Sequence, residues 1–363
     1  MTIETLIKEY WFADATDIEF ERYGNGHINE TYRVSLKTDI RRVYVLQKIN
    51  TGIFTDPDGL MHNFTAVTSY LETKLISEGK EAERGTLHVI PTVLGKPFAN
   101  PDGEAWRLID FVSGSVCYDK VERPEQFYMS AVAFGDFQRM LKDFPADQLV
   151  ETIPNFHNTP DRFAKFCEAV EKDVAGRVKD VISEIDFVKV RENFASTLER
   201  AHAEGRLPLK VTHNDTKLNN ILFDAESGKA LCIVDLDTVM PGYSVNDFGD
   251  SIRFGATTAA EDEADLSLVN FDIDLYELYV KGFIEGAAGG LTDGEIELLP
   301  VGAMMMTYEC GMRFLTDYIS GDTYFRIHRE GQNLDRARNQ FKLLSDMEES
   351  FEEMQNIVKK YTK

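Results

Sequence analysis

Positive charge is scarce in this chain. Its 363 residues include 39 Lys and Arg against 62 Asp and Glu, which gives a net charge of −23. Nucleic acids and anionic membrane surfaces attract clusters of Lys and Arg, so this balance argues against both as partners. Any phosphate-bearing ligand must therefore meet local positive charge, backbone N–H groups or a metal ion, because the overall field repels it.

Cysteines are also few, and long apolar runs are absent. The four cysteines lie far apart and form no C-x-x-C pair, so neither a zinc site nor a disulfide framework is predicted. No apolar run approaches the length of a membrane span, about 18 residues. The N-terminus lacks the basic segment and apolar core of a signal peptide. We therefore expect a cytoplasmic protein, and the sequence indicates no protein partner.

The most informative stretch that is present is a loop with the pattern His213-x-Asp215-x-x-x-x-Asn220. This is the spacing of a kinase-type catalytic loop, in which a carboxylate accepts a hydroxyl proton and an amide holds a metal ion. The pattern predicts Asp215 as the catalytic base and Asn220 as a metal ligand. A single Asp in a loop more often forms a turn. The complete pattern, followed by a hairpin, is far more specific.

The hairpin behind this loop predicts a second metal ligand. Two apolar runs, 221–224 and 230–236, are separated by a short Gly-containing connection, which is typical of a β-hairpin. Pairing of the two runs brings Asn220 and Asp235 to the same mouth of the hairpin. An amide oxygen and a carboxylate are hard ligands of the kind that Mg²⁺ binds. Asp215, on the loop that enters the hairpin, can face the same cavity without being a ligand.

Two backbone segments are candidates for nucleotide binding. Gly24-Asn25-Gly26 lies between strand-like runs, where it can cover phosphates or simply form a hairpin turn. Farther along, a small-residue segment follows a strand-like run that starts at residue 106, and it suits a hinge. The backbone of Ile109 to Phe111 is the candidate adenine edge there, with a plain loop as the alternative.

The third strand-like run, 43–49, should carry the phosphate-pairing lysine of a kinase-like small lobe. It contains Gln47-Lys48 instead, and alternation alone does not decide which of the two side chains faces a nucleotide. Counting from the preceding strand favours Gln47 at the usual lysine position, which would weaken the phosphate contact. Lys48 is then a surface lysine.

After the hinge, the sequence has the patterns that are typical of helices. The sequence predicts an α+β fold with a nucleotide-binding N-terminal lobe over 1–112, a hinge near 109–115 and a helical C-terminal lobe over 113–363 that contains the catalytic loop. Apolar spacing of three and four predicts helices at 2–13, 57–78, 123–144, 161–177, 184–204, 264–285, 293–319 and 332–361. Strands are predicted at 17–22, 31–36, 43–49, 88–93 and 106–112.

Downstream acidic residues have a structural interpretation. Asp247-Phe248-Gly249 matches the metal-binding triplet of protein kinases, but it lies beyond the hairpin, so we predict that Asp247 and Asp250 brace the catalytic loop or cap a helix. Phe254 could stack on a substrate ring or pack in the core.

A second group of charged residues lies in the predicted helix at 293–319. Glu309, Arg313 and Asp317 are spaced by four, which favours a ladder of surface ion pairs.

These motifs permit a family comparison. The catalytic loop, the Asp235-Leu-Asp-Thr strand end and the absence of a protein-kinase activation segment resemble the aminoglycoside phosphotransferase and choline kinase superfamily. More narrowly, the chain is similar to the N-acetylhexosamine 1-kinases over nearly its whole length. The most similar stretches are 23–29, 211–222, 247–255 and 309–315.

The resemblance implies a fold, an activity and a sugar site. The fold is a protein-kinase-like, two-lobed one with a small antiparallel-sheet N-lobe and a large, mostly helical C-lobe. The implied reaction is phosphorylation of the anomeric C1 hydroxyl of N-acetylglucosamine or N-acetylgalactosamine by ATP with Mg²⁺. Asp215 is then the base and Asn220 and Asp235 hold magnesium. The implied residues around the sugar are His27, Phe254, Arg313 and Tyr324.

Two alternatives remain at this point. Another small-molecule kinase of the same fold could act on choline, an aminoglycoside, homoserine or methylthioribose. A non-catalytic module could instead bind a nucleotide and signal by closing its lobes. The intact Asp215, Asn220 and Asp235 argue against the second alternative.

Overall fold

The computed structural model describes residues 1–24 and 28–362, so the predicted nucleotide residues Asn25 and Gly26 and the predicted sugar residue His27 lie outside the described residues. In chain order the helices and strands are α1 (Ile3–Tyr10), β1 (Thr16–Arg22), β2 (Glu30–Lys37), β3 (Arg41–Lys48), α2 (Pro57–Ser77), β4 (Val89–Ile90), β5 (Trp106–Asp110), β6 (Ser115–Val116), α3 (Pro124–Met140), α4 (Thr159–Lys172), α5 (Ile182–Lys189), α6 (Glu192–Ala195), α7 (Thr197–Ala203), β7 (Lys210–Thr212), β8 (Ile221–Asp224), β9 (Ala230–Ile233), β10 (Met240–Gly242), α8 (Ser244–Gly255), α9 (Ile273–Ala287), α10 (Asp293–Ile319), α11 (Gln332–Glu349) and α12 (Phe351–Tyr361).

The chain divides into two compact units that interleave in sequence. Unit 1 comprises Met1–Val116, Asp147–Pro154 and Leu222–Met240. Unit 2 comprises Cys117–Ala146, Asn155–Ile221 and Pro241–Lys363. The functional boundary expected near the hinge at 109–115, with lobes over 1–112 and 113–363, stays a prediction.

Unit 1 is built on a five-stranded sheet in the order β1-β2-β3-β5-β4, and its paired strands are antiparallel. Helix α1 covers one face, where Leu6 and Ile7 pack in one buried cluster with Val34, Leu46 and Leu108. Buried side chains alternate along part of β2 and part of β3, because successive side chains of a strand point to opposite faces. The predicted small antiparallel sheet is therefore confirmed.

Unit 2 is mostly helical, with β7 and β10 as a two-stranded sheet. Glycines permit two close helix crossings. A Cβ atom on Gly135 of α3 would lie 2.3 Å from the carbonyl oxygen of Phe283 on α9, and one on Gly249 of α8 would lie 2.2 Å from that of Gly302 on α10. Within residues 1–24 and 28–362, no helix is long and apolar enough to cross a membrane.

Several predicted boundaries are wrong. The helix expected at 264–285 begins only at Ile273, because the Asp272 side chain accepts hydrogen bonds from the amides of Asp274 and Leu275 and caps the helix there. The single helix expected at 332–361 breaks at Ser350, whose N–H bonds the carbonyls of the last turn of α11. The shortened strand β4 and the division of 184–204 into three short helices are similar departures.

Candidate active site

Asp215 and Asn220 lie together on the loop between β7 and β8, in unit 2. The Asn220 Nδ2 donates to Asp215 Oδ2 at 3.1 Å and to the Asp215 backbone carbonyl at 2.8 Å. Lys217 Nζ lies 2.7 Å from Asp215 Oδ1. Because Asn220 uses its nitrogen on Asp215, its Oδ1 is the atom suited to a cation, as the sequence predicts for a metal ligand.

The surroundings of Asp215 favour its charged form. Burial raises the pKa of this carboxyl, but the charge and hydrogen bond of Lys217, together with His213 and Asn220, outweigh burial and hold the pKa below its usual range. The same ion pair raises the pKa of Lys217. Asp215 is therefore ionised at neutral pH, which a proton acceptor requires.

Asp247, on α8, braces this loop. Its Oδ2 accepts from the backbone N–H of His213 at 2.9 Å, and its Oδ1 accepts from that of Asn214 at 2.7 Å. Gln138 Nε2 on α3 donates to the same carboxylate at 2.8 Å. Both oxygens are occupied by donors, so the prediction that Asp247 braces the loop is confirmed.

Asp250, one turn farther along α8, holds the next part of the loop. Its Oδ2 accepts from the Thr216 backbone N–H at 3.0 Å, while Oδ1 accepts from Arg253 Nε and Nη2 at 3.1 and 2.9 Å. The Thr216 hydroxyl donates in turn to the backbone carbonyl of Asp247 at 2.5 Å. Helix α8 thus fixes the backbone around Asp215, as the sequence predicts for Asp250.

Asp235 follows β9 in unit 1. Strands β8 and β9 are neighbours in a three-stranded sheet, which confirms the predicted hairpin. Asp235 has a left-handed φ of 60° and precedes a short 3₁₀ turn, Leu236–Thr238. In the part of the chain that the structure describes, no group of three or more His, Cys, Asp and Glu side chains forms a metal cluster.

Gln47 and Lys48 lie on opposite faces of the unit 1 sheet. Lys48 is on the α1 side, 2.5 Å from Glu104 Oε1 and 5.8 Å from the Trp106 ring centroid. Gln47 faces the other side, where it donates to Thr31 Oγ1 at 3.1 Å and accepts from Arg107 Nε at 2.9 Å. The role of Gln47 at the phosphates stays a prediction, but the structure separates it clearly from Lys48.

The protein backbone that is the candidate for nucleotide binding lies partly within the sheet. Ile109 pairs with Val45 on β3 and with Val89 on β4, so it lies in the sheet interior. Phe111 lies one residue beyond the last residue of β5, and its ring packs 5.8 Å from that of Tyr23. Gly24 has a left-handed φ of 74° in an exposed bend. An adenine edge there stays a prediction, and the geometry favours Phe111 over Ile109.

Arg313 and Tyr324 line a cavity of about 200 Å³ within unit 2. The guanidinium carbon of Arg313 lies 5.5 Å from the ring centroids of Phe156 and Phe325 and 5.9 Å from that of Tyr324. The full lining comprises Arg162, Lys165, Arg313, Thr316, Asp317, Ser320, Thr323, Tyr324 and Phe325. Phe254 is half-buried near the end of α8.

The expected surface ladder on α10 is wrong. Glu309 is fully buried, and it accepts from His157 Nδ1 at 2.9 Å and from the Thr159 hydroxyl at 2.7 Å. Asp317 accepts backbone N–H bonds from residues 323, 324 and 325 at 2.8 to 2.9 Å. Both carboxylates are committed to loops packed on this helix. Arg313 therefore contributes to the cavity lining.

His157, which is not among the residues that the sequence motifs predict for the site, links this cavity to the catalytic loop. Its Nε2 lies 3.1 Å from the carbonyl oxygen of Asn214, next to Asp215, and its Nδ1 contacts Glu309. The Asn214 carbonyl and the Glu309 carboxylate are both acceptors, so each ring nitrogen of His157 faces an acceptor. The neighbouring Phe156 ring contacts Arg313. No local spacing marks this histidine in the sequence.

Similarity to known sequences assigns the chain to a family. A profile of the phosphotransferase enzyme family matches residues 19–278, which is well over half of the chain. The chain belongs to the phosphotransferase enzyme family. The matched residues include the catalytic loop, the hairpin and α8.

Solved structures of similar fold cover nearly the whole chain. An aminoglycoside phosphotransferase from Alicyclobacillus acidocaldarius is 12% identical, covers 99% of this chain and 97% of its own, and gives a TM-score of 0.63. The choline kinase from Cryptosporidium parvum is 13% identical, covers 98% and 96%, and gives 0.60. A spectinomycin phosphotransferase in complex with ADP and spectinomycin is 13% identical, covers 96% and 97%, and gives 0.56. These identities show the fold alone, and the predicted α+β, protein-kinase-like class is confirmed.

One curated relative is an uncharacterized kinase-like protein of Caenorhabditis elegans. It is 27% identical over an alignment of 143 residues, and the match covers 37% of this chain. The match spans about a third of the length of that relative, 34%.

Proposed function

We propose that this family member phosphorylates the anomeric C1 hydroxyl of N-acetylhexosamines with ATP and Mg²⁺. The observation that carries the proposal is the braced loop on which Asp215 is ionised beside Lys217 and Asn220. The phosphotransferase family and a fold shared with choline and aminoglycoside kinases support a small-molecule acceptor. The ADP complex of the spectinomycin phosphotransferase supports an adenine nucleotide.

In the proposed reaction, Asp215 orients the acceptor hydroxyl and takes its proton. The hydroxyl oxygen forms the new bond to the γ-phosphorus as the bond to the β–γ bridging oxygen breaks, so that sugar 1-phosphate and ADP are the products. A carboxylate with a lowered pKa is a weak base. It is sufficient here because an anomeric hydroxyl is more acidic than an ordinary alcohol. Positioning and charge neutralisation provide the remaining rate acceleration.

Asn220 and Asp235 are the proposed magnesium ligands. They flank a single hairpin, since Asn220 directly precedes β8 and Asp235 follows β9 by two residues. Their amide and carboxylate oxygens fit Mg²⁺, which binds through one or two protein oxygens and the phosphates of a nucleotide. When bound, the ion would neutralise charge on those phosphates.

The unit 2 cavity favours an uncharged acceptor over an amine. Arg162, Lys165 and Arg313 line it, and the one carboxylate in the lining, Asp317, is occupied by backbone donors. Choline or an aminoglycoside would bring positive charge against these cations. A sugar offers hydroxyl and carbonyl acceptors to Arg313 and a ring face to Tyr324.

The test is ADP release with a panel of acceptors, each with and without Mg²⁺. We expect turnover with N-acetylglucosamine or N-acetylgalactosamine that requires Mg²⁺, weaker turnover with glucose and galactose, and none with choline. The product should be labile to mild acid, as expected of a phosphate on C1. Preferred turnover of choline or an aminoglycoside would replace the sugar assignment with the alternative kinases of this fold. ADP binding without turnover of any acceptor would favour a non-catalytic module.

A further inference from the structure

Unit 1 buries an arginine, Arg107, against its sheet. The side chain is 1% exposed and lies on β5, directly across from Gln47 on β3. Its Nε donates to Gln47 Oε1 at 2.9 Å, and its Nη1 lies 2.5 Å from Asp237 Oδ1. The guanidinium carbon lies 4.6 Å from the centroid of the Phe64 ring on α2. Strand β5 therefore supplies the buried cation on the sheet face where β3 offers a glutamine.

The partner of this arginine, Asp237, uses all its oxygens within unit 1. Besides the contact with Arg107, its Oδ2 accepts from Asn29 Nδ2 at 2.5 Å. Its backbone carbonyl accepts from the Thr152 hydroxyl at 2.9 Å. The side chain is only 2% exposed. A buried carboxylate whose two oxygens accept from side chains elsewhere in unit 1 anchors the chain around it.

The anchored residue belongs to the turn that carries Asp235. The left-handed φ of 60° at Asp235 is uncommon for a residue other than glycine, and such a conformation persists where surrounding contacts hold it. Just after the turn, Asn63 Nδ2 on α2 donates to the carbonyl of Val239 at 2.9 Å. Bonds made at residues 237 and 239 therefore hold the backbone that places Asp235.

We propose that Arg107 is a positioning residue that fixes Asp235 through Asp237. The inference rests on the proposed function, in which the Asp235 carboxylate holds nucleotide-bound Mg²⁺. Arg107 is too deeply buried to touch a nucleotide itself, so it acts through the turn. It supplies a fixed positive charge on the sheet face where β3 carries Gln47 and no lysine.

Arg107→Lys is the first test. Lysine keeps the charge, but its single nitrogen does not reproduce the two separate donor nitrogens that bond Gln47 and Asp237. Loss of a residue that orients a metal ligand lowers metal affinity about 10- to 100-fold. We expect the Mg²⁺ concentration for half-maximal activity to rise by that factor, with the KM for the sugar unchanged. A purely structural role would lower the yield of folded protein without moving the Mg²⁺ requirement.

A double variant separates positioning from folding. Arg107→Met combined with Asp237→Leu replaces the buried pair by apolar side chains of similar size, an exchange that often leaves stability unchanged. We expect a melting temperature near that of the parent protein and the same raised Mg²⁺ requirement. Lys48→Met is the matched control, because it removes a cation from the opposite face of the same sheet. It should leave the Mg²⁺ requirement as it is.

Calorimetry of ADP binding gives a readout without turnover. In both Arg107 variants, ADP affinity in EDTA should equal the parental value, and the gain in affinity on adding Mg²⁺ should need a Mg²⁺ concentration about 10- to 100-fold higher than in the parent protein. A gain at the parental Mg²⁺ concentration in either folded variant would overturn the inference. If Mg²⁺ leaves ADP affinity unchanged in the parent protein, the proposed metal site itself fails, and the role of Arg107 fails with it.

Discussion

At the scale of single residues, Asp215 is governed by two opposing effects. Burial disfavours its charge, whereas Lys217, His213 and Asn220 favour it, and the net result is a lowered pKa. Lys217 is the strongest of the favourable neighbours. The ionised form is therefore present above the lowered pKa, and the base is lost only as the pH falls through that value.

Lys217→Met should move the acidic limb of the pH profile to higher pH. Without the neighbouring charge, burial dominates and the pKa of Asp215 rises, so activity is lost earlier as the pH falls. The measurement is kcat/KM for the sugar as a function of pH. Lys172→Met is the control, since Lys172 forms an exposed ion pair with Glu168 on α4. An unchanged acidic limb in Lys217→Met would mean that Asp215 does not set it.

Sequence spacing finds residues whose partners are near in the chain. Asp215 and Asn220 are five positions apart, so one loop motif identifies both. Arg107 meets Asp237 across 130 positions, and His157 meets Glu309 across 152. No periodicity links such pairs, because tertiary packing alone brings them together. The surface ion pair predicted for Glu309 is wrong for the same reason. The local spacing of four does not show that a loop distant in sequence buries this side chain.

At the scale of elements, α8 is the support of the catalytic loop. It presents Asp247 and Asp250 to the loop backbone, and it crosses α10 closely at Gly249. The sequence predicted the bracing role because two acids one turn apart follow the hairpin. The sequence did not reveal the close crossing, since a glycine in a helix gives no sign of which helix it meets.

Gly249→Ala should destabilise the protein and slow catalysis. The added Cβ would lie 2.2 Å from the carbonyl oxygen of Gly302, so α8 must shift. Overpacking of this kind costs about 1–3 kcal/mol. The free energy of unfolding in denaturant should fall by that amount, and kcat should fall because the shift moves the braces of the loop. Gly52→Ala is the control, since its Cβ meets only the Asn50 side chain. Equal stability of the two variants would contradict the tight crossing.

At the scale of the whole molecule, a net charge of −23 repels the nucleotide. A neutral sugar has no net charge, so the protein's field does not repel it. The predicted fold class could be read from the order of strand-like and helical patterns. The interleaving of the two compact units could not, because it depends on where segments 147–154 and 222–240 pack.

Because the net negative charge of the protein repels ATP, the association rate of ATP should rise with ionic strength. Between about 0.01 and 0.1 M salt, the Debye length shortens from about 30 to about 10 Å, which screens the repulsion. Stopped-flow measurements with a fluorescent ATP analogue should show a several-fold faster association at the higher salt. The KM of the neutral sugar should stay constant over the same range. A slower association would mean that local cations outweigh the overall charge.

The central claim is that Asp215 takes the proton of a sugar hydroxyl, and Asp215→Asn tests it most directly. Turnover should be measured by ADP release with N-acetylglucosamine and N-acetylgalactosamine at saturating Mg²⁺. Asp265→Asn in an exposed loop is the matched control. We predict that kcat falls about 10²- to 10⁴-fold in Asp215→Asn while ADP affinity stays at the parental value. Turnover within a few-fold of the parent protein would contradict the account.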